Sequence, residues 1–289
     1  ELVIVDAIAA ALASDYPGIR VIVVDDGSTD GTAAAVERAF ADEPRVRLIR
    51  QENGGKCSAL NAAYAEVRTE VVVAVDADTI LDRDAVKLLM GHFADPRIGA
   101  VAGNVRVGNR RGLLARLQAL EYITAQNIDR RAAERLNAML VVPGAIGAWR
   151  AEAVRKVGLY SADTITEDAD LTVAIQRAGY RVVFEERAFS VTDAPETLPT
   201  FMRQRLRWSF GMMQTAWKHR RAAKTARGVG WFSIPDLWVT GILFGLLAPV
   251  ADAVFLGALV REGLNLAQGL PVLADELSIS IIAGWAVLP

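Results

Sequence analysis

VVVAVDADTI, Val71 to Ile80, is the stretch on which the reading of this chain turns. Its β-branched run reads as a strand buried on both faces. It leads into Asp76 and Asp78, one residue apart. In extended backbone, residues two apart point the same way, so the pattern predicts two carboxylates together at the carboxyl end of a strand. Like charges repel, and their burial is costly unless something positive lies between them. A hard divalent cation on oxygen ligands, carrying a diphosphate on its other side, would satisfy both. The plainer alternative is an Asp-rich turn leading into a helix that starts near Asp82.

On either side, strands and helices alternate. A helix is predicted from Val3 to about Ser14, ended by Tyr16-Pro17-Gly18. Strands follow at Arg20–Asp25, Arg45–Arg50, Val71–Val75, near Gly99–Val105 and at Arg181–Phe184. Helices are predicted at Thr32–Phe40, Lys56–Val67, Asp82–Phe93, Gly112–Leu136, Thr166–Ala178 and Leu198–Lys218, the last with a break near Gly211. The Gly112–Leu136 region carries an apolar stripe of Leu113, Leu117, Leu120 and Ile123. This alternation predicts an α/β fold with a mostly parallel, Rossmann-like sheet covered on both faces. Ligands of such sheets gather beyond the carboxyl ends of the strands.

Four more motifs carry chemistry. Asp25-Asp26-Gly27-Ser28 ends another core strand, where a carboxylate can accept the imide N–H of a uracil. A turn capped by Ser28 or Thr29 explains the same residues. Asn53-Gly54-Gly55-Lys56 sets a glycine loop and a lysine at a helix start, a geometry suited to an anionic group. In ITEDADL, Ile165 to Leu171, Thr164 and Glu167 fit a capping box. Asp168 falls in the first helical turn, where the helix dipole favours the ionised carboxylate that a general base requires. In QRLRW, Gln204 and Trp208 share one helix face. Arg205 and Arg207 can neutralise a diphosphate there, and Trp208 can stack on a sugar ring. A membrane-surface helix anchored by Arg and Trp accounts for the same pattern.

Composition separates the two ends of the chain. Of its 289 residues 52% are hydrophobic, and mean hydropathy is +0.25. The excess lies from Trp231 onward. No acidic residue occurs between Glu196 and Asp236, a span that carries eight Lys and Arg. A basic block before an apolar segment is the pattern of a cytoplasmic flank. Trp231 to Val260 exceeds the roughly twenty residues needed to span a bilayer, with Pro235, Asp236, Pro249 and Asp252 as interruptions. A nucleic-acid partner would explain the basic block but none of the carboxylates, so none is expected. The single cysteine, Cys57, excludes an internal disulfide. His92 and His219 are too few and too distant for a histidine-rich metal site. Without an initiator Met, a leader or a first strand, and ending within the apolar stretch Leu277–Pro289, the chain reads as truncated at both ends. Three parts are expected: a catalytic domain over 1–197, amphipathic interface helices over 198–230, and an incomplete membrane region over 231–289.

The order VVVDDGSTDGT, NGGK, VDADT, ITEDADL, QRLRW resembles the inverting family 2 glycosyltransferases of GT-A fold. The membrane-integrated processive members are closest: the cellulose, chitin, hyaluronan and poly-N-acetylglucosamine synthases. PETLPTFMRQRLRWSFG (Pro195–Gly211) and VPGAIGAWR (Val142–Arg150) look most like the poly-N-acetylglucosamine branch. The resemblance implies Asp25 and Asp26 against the uridine with Lys56 nearby, and Asp76 at the nucleotide and the metal. It implies Asp78 on Mg²⁺ or Mn²⁺, and Asp168 as the base for the acceptor hydroxyl. Glu167, Gly144, Gln204, Arg205, Arg207 and Trp208 would shape the acceptor and diphosphate end. It further implies a UDP-sugar donor, a growing polysaccharide acceptor and a lipid bilayer, with an accessory membrane subunit. The full-length protein would be a multi-pass plasma (inner) membrane protein with a cytoplasmic catalytic domain. The rival readings are a non-processive transferase of the dolichyl-phosphate mannose kind and a non-catalytic nucleotide-binding membrane subunit.

Overall fold

The computed structural model describes residues 3–124, 128–226 and 228–268. They fall into two compact units, Glu1–Pro235 and Asp236–Pro289. The first unit runs α1 (Ile4–Leu12), β1 (Val21–Asp26), α2 (Thr32–Ala39), β2 (Val46–Gln51), α3 (Lys56–Glu66), β3 (Val71–Ala74), β4 (Ile80–Leu81) and α4 (Ala85–Gly91). It continues through β5 (Ile98–Val107), α5 (Leu113–Thr124), α6 (Arg130–Leu136), β6 (Gly147–Arg150), α7 (Ala151–Lys156), α8 (Glu167–Arg177), β7 (Arg181–Thr192) and α9 (Leu198–Lys218).

The strands form a two-stranded sheet, β1-β2, and a five-stranded sheet in the order β3-β6-β5-β7-β4. Pairing of β1 with β2 and of β5 with β7 is parallel, whereas β3-β6, β5-β6 and β4-β7 are antiparallel. The longest ladders, β1-β2 and β5-β7, are thus the parallel ones, and short antiparallel pairings add to them. Strand–helix alternation suggests crossovers, but a four-residue strand such as β6 can enter a sheet in either sense, and its apolar pattern is the same both ways. Helices do cover both faces, as alternation along β5 shows. Ala100 and Ala102 join Tyr64, Trp149, Leu171 and Ile175 on one side, whereas Val101 and Val105 join Ala85, Leu89 and Ile146 on the other.

Trp149 and Arg150 close β6 in different ways. Trp149 is packed into the first core with Tyr160 edge-on. Arg150 is buried, and its guanidinium donates to the carbonyls of Ile98 (2.9 Å), Phe93 (3.0 Å) and Asp95 (3.1 Å) while pairing with Glu70. It thus ties β6 to the turn before β5. Arg150→Met leaves those carbonyls without a donor, and urea unfolding is expected to show a loss of about 3 kcal/mol. A loss below about 1 kcal/mol would mean that water replaces the guanidinium freely.

Several local expectations are corrected. Asp76 and Asp78 do not continue β3. A bond from Thr79 N to Asp76 O (3.0 Å) folds them into a turn beyond its end, so strand alternation does not set their directions. The N-cap position of α2 is Gly31 rather than Ser28 or Thr29, and Asp30 Oδ1, just before it, accepts from Thr32 N at 3.1 Å. No capping box forms at α8, because Glu167 turns to Lys56 instead. Within the expected Gly112–Leu136 helix the structure describes α5 and α6, with residues 125–127 outside the described residues, and α9 passes Gly211 unbroken. The apolar stripe of α5 faces outward. Leu113, Leu117, Leu120 and Ile123 are all more than half exposed, while Ala115, Gln118 and Ala119 are buried. Small residues let that face approach β5, and Gln118 donates to Pro195 O at 2.8 Å.

In the second unit, a helical segment at Leu237–Phe244 is followed by a helix at Gly245–Ala267 with Pro249 inside it. The helical run Val229–Arg261 is long and apolar enough to cross a membrane by length and composition. The part of 231–289 beyond residue 268, including the apolar Leu277–Pro289, lies outside the described residues.

Candidate active site

Lys56, at the start of α3, is the centre of the site. Its Nζ lies 2.8 Å from Asp76 Oδ1 and 2.8 Å from Glu167 Oε1. Burial by itself would lower the lysine's pKa. The two carboxylates outweigh that and hold it above the usual lysine value. The ammonium thus links the turn after β3 to the first turn of α8. Gly144 lies over this link: a Cβ there would meet Lys56 Nζ at 2.9 Å and Asp76 Oδ1 at 3.0 Å. No side chain fits without displacing the ion pair.

Asp168 adjoins them. Its Oδ1 accepts from Ala169 N at 2.8 Å, and its Oδ2 from Gly144 N at 3.3 Å. Burial, reinforced by the charge of Glu167, pushes its pKa up to about 6, with Lys56 pulling the other way. The helix dipole therefore does not decide its charge, as the sequence suggested; burial outweighs it. A carboxyl near 6 is a stronger base than an ordinary aspartate and is still ionised at neutral pH.

Lys56, Asp76, Gly144, Glu167 and Asp168 line one small cavity, together with Leu60, Ala74, Val75, Trp149 and Tyr160. A larger open groove borders Asn61, Tyr64, Arg68 and Arg155, but it holds no carboxylate. The aromatic floor under the acids was not anticipated. Tyr160 packs against both Tyr64 and Trp149, and the indole Nε1 of Trp149 is buried with no hydrogen-bond partner among the described residues. Arg130 was also missed. It is buried, donates to Gly103 O at 2.9 Å, and has its pKa lowered to about 10 by burial against the opposing charge of Asp168. Nothing in the sequence around Arg130 separates it from its exposed neighbour Arg131.

The remaining sequence-predicted residues lie outside that cavity. Asp25 is buried and accepts Ser28 N at 2.9 Å, closing its own turn. Asp26 takes Gln51 Nε2 (2.6 Å), Gly54 N (2.9 Å) and Gly55 N (2.8 Å). Those bonds, led by that from Gly54, hold its carboxyl below the usual range. Asp26 therefore fixes the glycine loop that delivers Lys56. Asp78 is exposed, and its Oδ1 accepts from Thr79 Oγ1 at 3.3 Å. Among the described residues no three His, Cys, Asp or Glu side chains are gathered to hold a metal. Asp76 and Asp78 suit a hard cation only if most of its oxygen ligands come from a substrate or water.

In α9, Arg205 forms a two-pronged pair with Glu121 of α5, at 2.5 and 2.6 Å, and its guanidinium lies 4.8 Å from the rings of Phe201 and Trp208. Gln204 Oε1 is buried without a hydrogen-bond partner among the described residues, and Arg207 is exposed. Leu198, Met202, Leu206, Phe210, Met213 and Trp217 turn outward, as the stripe of α5 does.

The sequence matches the family described as "Glycosyltransferase like family 2" over residues 1–211. It is 33% identical to a poly-beta-1,6-N-acetyl-D-glucosamine synthase of Staphylococcus aureus and 30% identical to one of Staphylococcus epidermidis. Each similarity runs over 207 residues, 71% of this chain and 50% of the relative. The chain spans about half the length of the curated relatives it matches. Its structure is similar to that of a mannosyltransferase from Pyrobaculum calidifontis in complex with GDP-Man and Mn²⁺. The TM-score is 0.68 at 25% identity, covering 99% of this chain and 82% of that one. Staphylococcus aureus TarS in complex with UDP-GlcNAc shares the fold, with a TM-score of 0.54 at 16% identity over 84% of this chain and 76% of that one.

Proposed function

Because this chain belongs to the family 2 glycosyltransferases and has their GT-A fold, we propose that it extends a β-linked polysaccharide from a UDP-sugar, N-acetylglucosamine being the sugar, by one inverting displacement. The observation that carries this reading is the meeting of a raised-pKa carboxyl with a lysine-bridged acidic pair. Asp168, near 6, stands beside the Lys56–Asp76–Glu167 link and accepts from Gly144 N, whose bare backbone lies against that link. The acceptor hydroxyl attacks the anomeric carbon, the bond to the diphosphate breaks, and the hydroxyl proton passes to Asp168. An α-linked donor thereby yields a β linkage and free UDP, with no covalent enzyme intermediate. Lys56 and the arginines of QRLRW supply positive charge where the leaving diphosphate becomes more negative. Gly144, whose bare backbone lies against the Lys56–Asp76 pair, is assigned to the acceptor sugar. Asp25 and Asp26, at the ends of the β1 side, are assigned to the uridine.

Mg²⁺ or Mn²⁺ would be held by Asp76 and Asp78, where, when bound, it neutralises the diphosphate. Asp78→Ala is expected to lower transfer at least about 100-fold and to abolish the metal dependence of UDP binding. Undiminished transfer in chelator would remove the metal from this reading. The outward apolar faces of α5 and α9, with the apolar run Val229–Arg261, support a position against the cytoplasmic face of the plasma membrane, with an accessory membrane subunit as a further partner.

The test is product size. Membranes carrying the protein are given labelled UDP-N-acetylglucosamine with Mg²⁺, and the products are run on a gel beside an Asp168→Asn control. Long polymer absent from the control is expected. A single-sugar lipid product would place the protein with enzymes that transfer one sugar at a time, and incorporation only from another UDP-sugar would overturn the donor assignment.

A further inference from the structure

α9 presents two different surfaces along one helix. Gln204, Trp208, Gly211, Thr215 and His219 recur at i, i+4, i+7, i+11 and i+15, which places them on one face. The outward apolar residues occupy the opposite face. From Gly211 onward the first face is sewn to the loop and helix that carry Asp168. A Cβ on Gly211 would meet Thr166 Cγ2 at 2.5 Å and Oγ1 at 2.7 Å, so the Thr166 side chain packs against the bare backbone of α9. One turn on, Gln214 Oε1 accepts Ile165 N at 2.9 Å, and the hydroxyl of buried Thr215 lies 3.4 Å from that of Thr166. At the end of the helix, Lys218 Nζ donates to Asp170 Oδ2 (2.8 Å) and Ser161 Oγ (2.9 Å), and reaches Asp163 at 3.1 Å.

His219 closes the seam. Arg177 Nη1 can only donate, so the 2.9 Å contact makes His219 Nδ1 an acceptor and leaves its Nε2–H to donate to Asp170 Oδ1 at 2.7 Å. Against its burial, the bonds from His219 and Lys218 hold Asp170 below the usual carboxylate range. Histidine and aspartate are both nearly fully buried. This pair plays no part in the displacement, yet it is the most completely bonded acid in α8, two residues from Asp168.

Seven residues of helix separate Gly211 from Gln204 and three separate it from Trp208, about 10 Å and 4.5 Å along the axis. Both project on the face that is clamped below. We propose that the second half of α9 is a positioning element that sets where Gln204 and Trp208 stand relative to Asp168, with the contact of Gly211 on Thr166 as its fixed point. This rests on the glycosyl-transfer reading, whose acceptor site it divides between a fixed base and a clamped helix. Gly211, Gln214, Thr215, Lys218 and His219 are positioning residues and touch no substrate.

The test is a cycle of Gly211→Ala, Thr166→Ala and the double variant in the detergent-purified protein. Thr166 makes no side-chain cap bond at α8, so its truncation removes the Cγ2 and Oγ1 that a Cβ on residue 211 would strike, together with the 3.4 Å hydroxyl contact to Thr215. Three quantities are read: transfer from UDP-N-acetylglucosamine, binding of UDP, and the distance between spin labels at Leu206→Cys and Glu152→Cys in a Cys57→Ser background. Gly211→Ala is expected to lower transfer at least about 30-fold, with the loss concentrated in kcat and acceptor KM. UDP binding should stay within about twofold, and the label distance should lengthen or broaden. The double variant should recover most of both changes. Wild-type transfer by Gly211→Ala, an unmoved distance, or a double variant no better than the single one would overturn the proposal. If Gly211→Ala does not fold, Lys218→Met decides: a transfer loss with UDP binding intact supports the clamp, and unchanged transfer refutes it. A wild-type protein that transfers no sugar would overturn the functional reading alone, because the distance cycle still judges the clamp.

Discussion

Asp168→Asn is expected to lower the transfer rate by about a thousandfold while UDP binding changes by no more than about threefold. The substitution is nearly isosteric. An amide oxygen in place of Oδ1 can still accept Ala169 N, so the first turn of α8 stays closed. What is lost is the ability to take a proton, together with the 3.3 Å bond from Gly144 N to Oδ2. The wild-type pH profile should carry the same signature. Asp168 acts only when deprotonated and its pKa is about 6. The rate should therefore be level above that value and fall about tenfold for each unit below it. The acidic limb should be absent from the residual activity of Asp168→Asn. Loss of UDP binding together with transfer would mean that the carboxylate also shapes the donor site. An acidic limb unchanged in the variant would assign it to another group.

How much of this site could be read beforehand depended on whether a residue's role is local or arises from packing. Three of the five motifs lie in loops at strand ends, ITEDADL opens α8 and QRLRW lies within α9, and their glycines, paired acids and turn residues leave a direct mark on the sequence. Lys56, Asp76, Gly144, Glu167 and Asp168 could thus be named, and the structure gathers all five around one cavity. Strand direction left no such mark, because hydrogen-bond sense is invisible in an apolar run of four, and β6 proved antiparallel to both its neighbours. The outward turn of the α5 stripe was equally hidden. Amphipathicity shows that a helix has two faces, but α5 seats its small residues and Gln118 on the sheet and leaves its leucines outside. Tyr160, Trp149 and Arg130 were missed because their neighbourhood is assembled from distant segments. The place of Asp168 in the first turn of α8 was legible, but its electrostatics were not: burial, which is tertiary, raises its pKa first, and the charge of its sequence neighbour Glu167 adds to it.

Lys56→Met should produce the other large effect, and it tests the electrostatic balance rather than the proton transfer. Lys56 is the cation in contact with both Asp76 and Glu167, and Glu167 is nearly buried. Without it, two carboxylates face each other beside a third, with no compensating charge in that contact. Transfer efficiency is expected to fall by about a hundredfold or more, and donor binding should weaken with it because the diphosphate loses a positive neighbour. The direction of the pH shift follows from the same contacts. Lys56 lowers the pKa of Asp168 whereas Glu167 and Asp76 raise it. Removing the lysine leaves the bond from Ala169 N against the raising influences, and the acidic limb should move upward from about 6, by roughly one unit. The lysine itself cannot be the titrating group, since its own pKa is held above the ordinary lysine value. Reduced transfer with an unmoved limb would confine Lys56 to the donor. A limb that moves with donor binding intact would confine it to the base. Movement of both is the expected result of one ammonium bridging the turn after β3, proposed to present the nucleotide, and the first turn of α8, proposed to present the base.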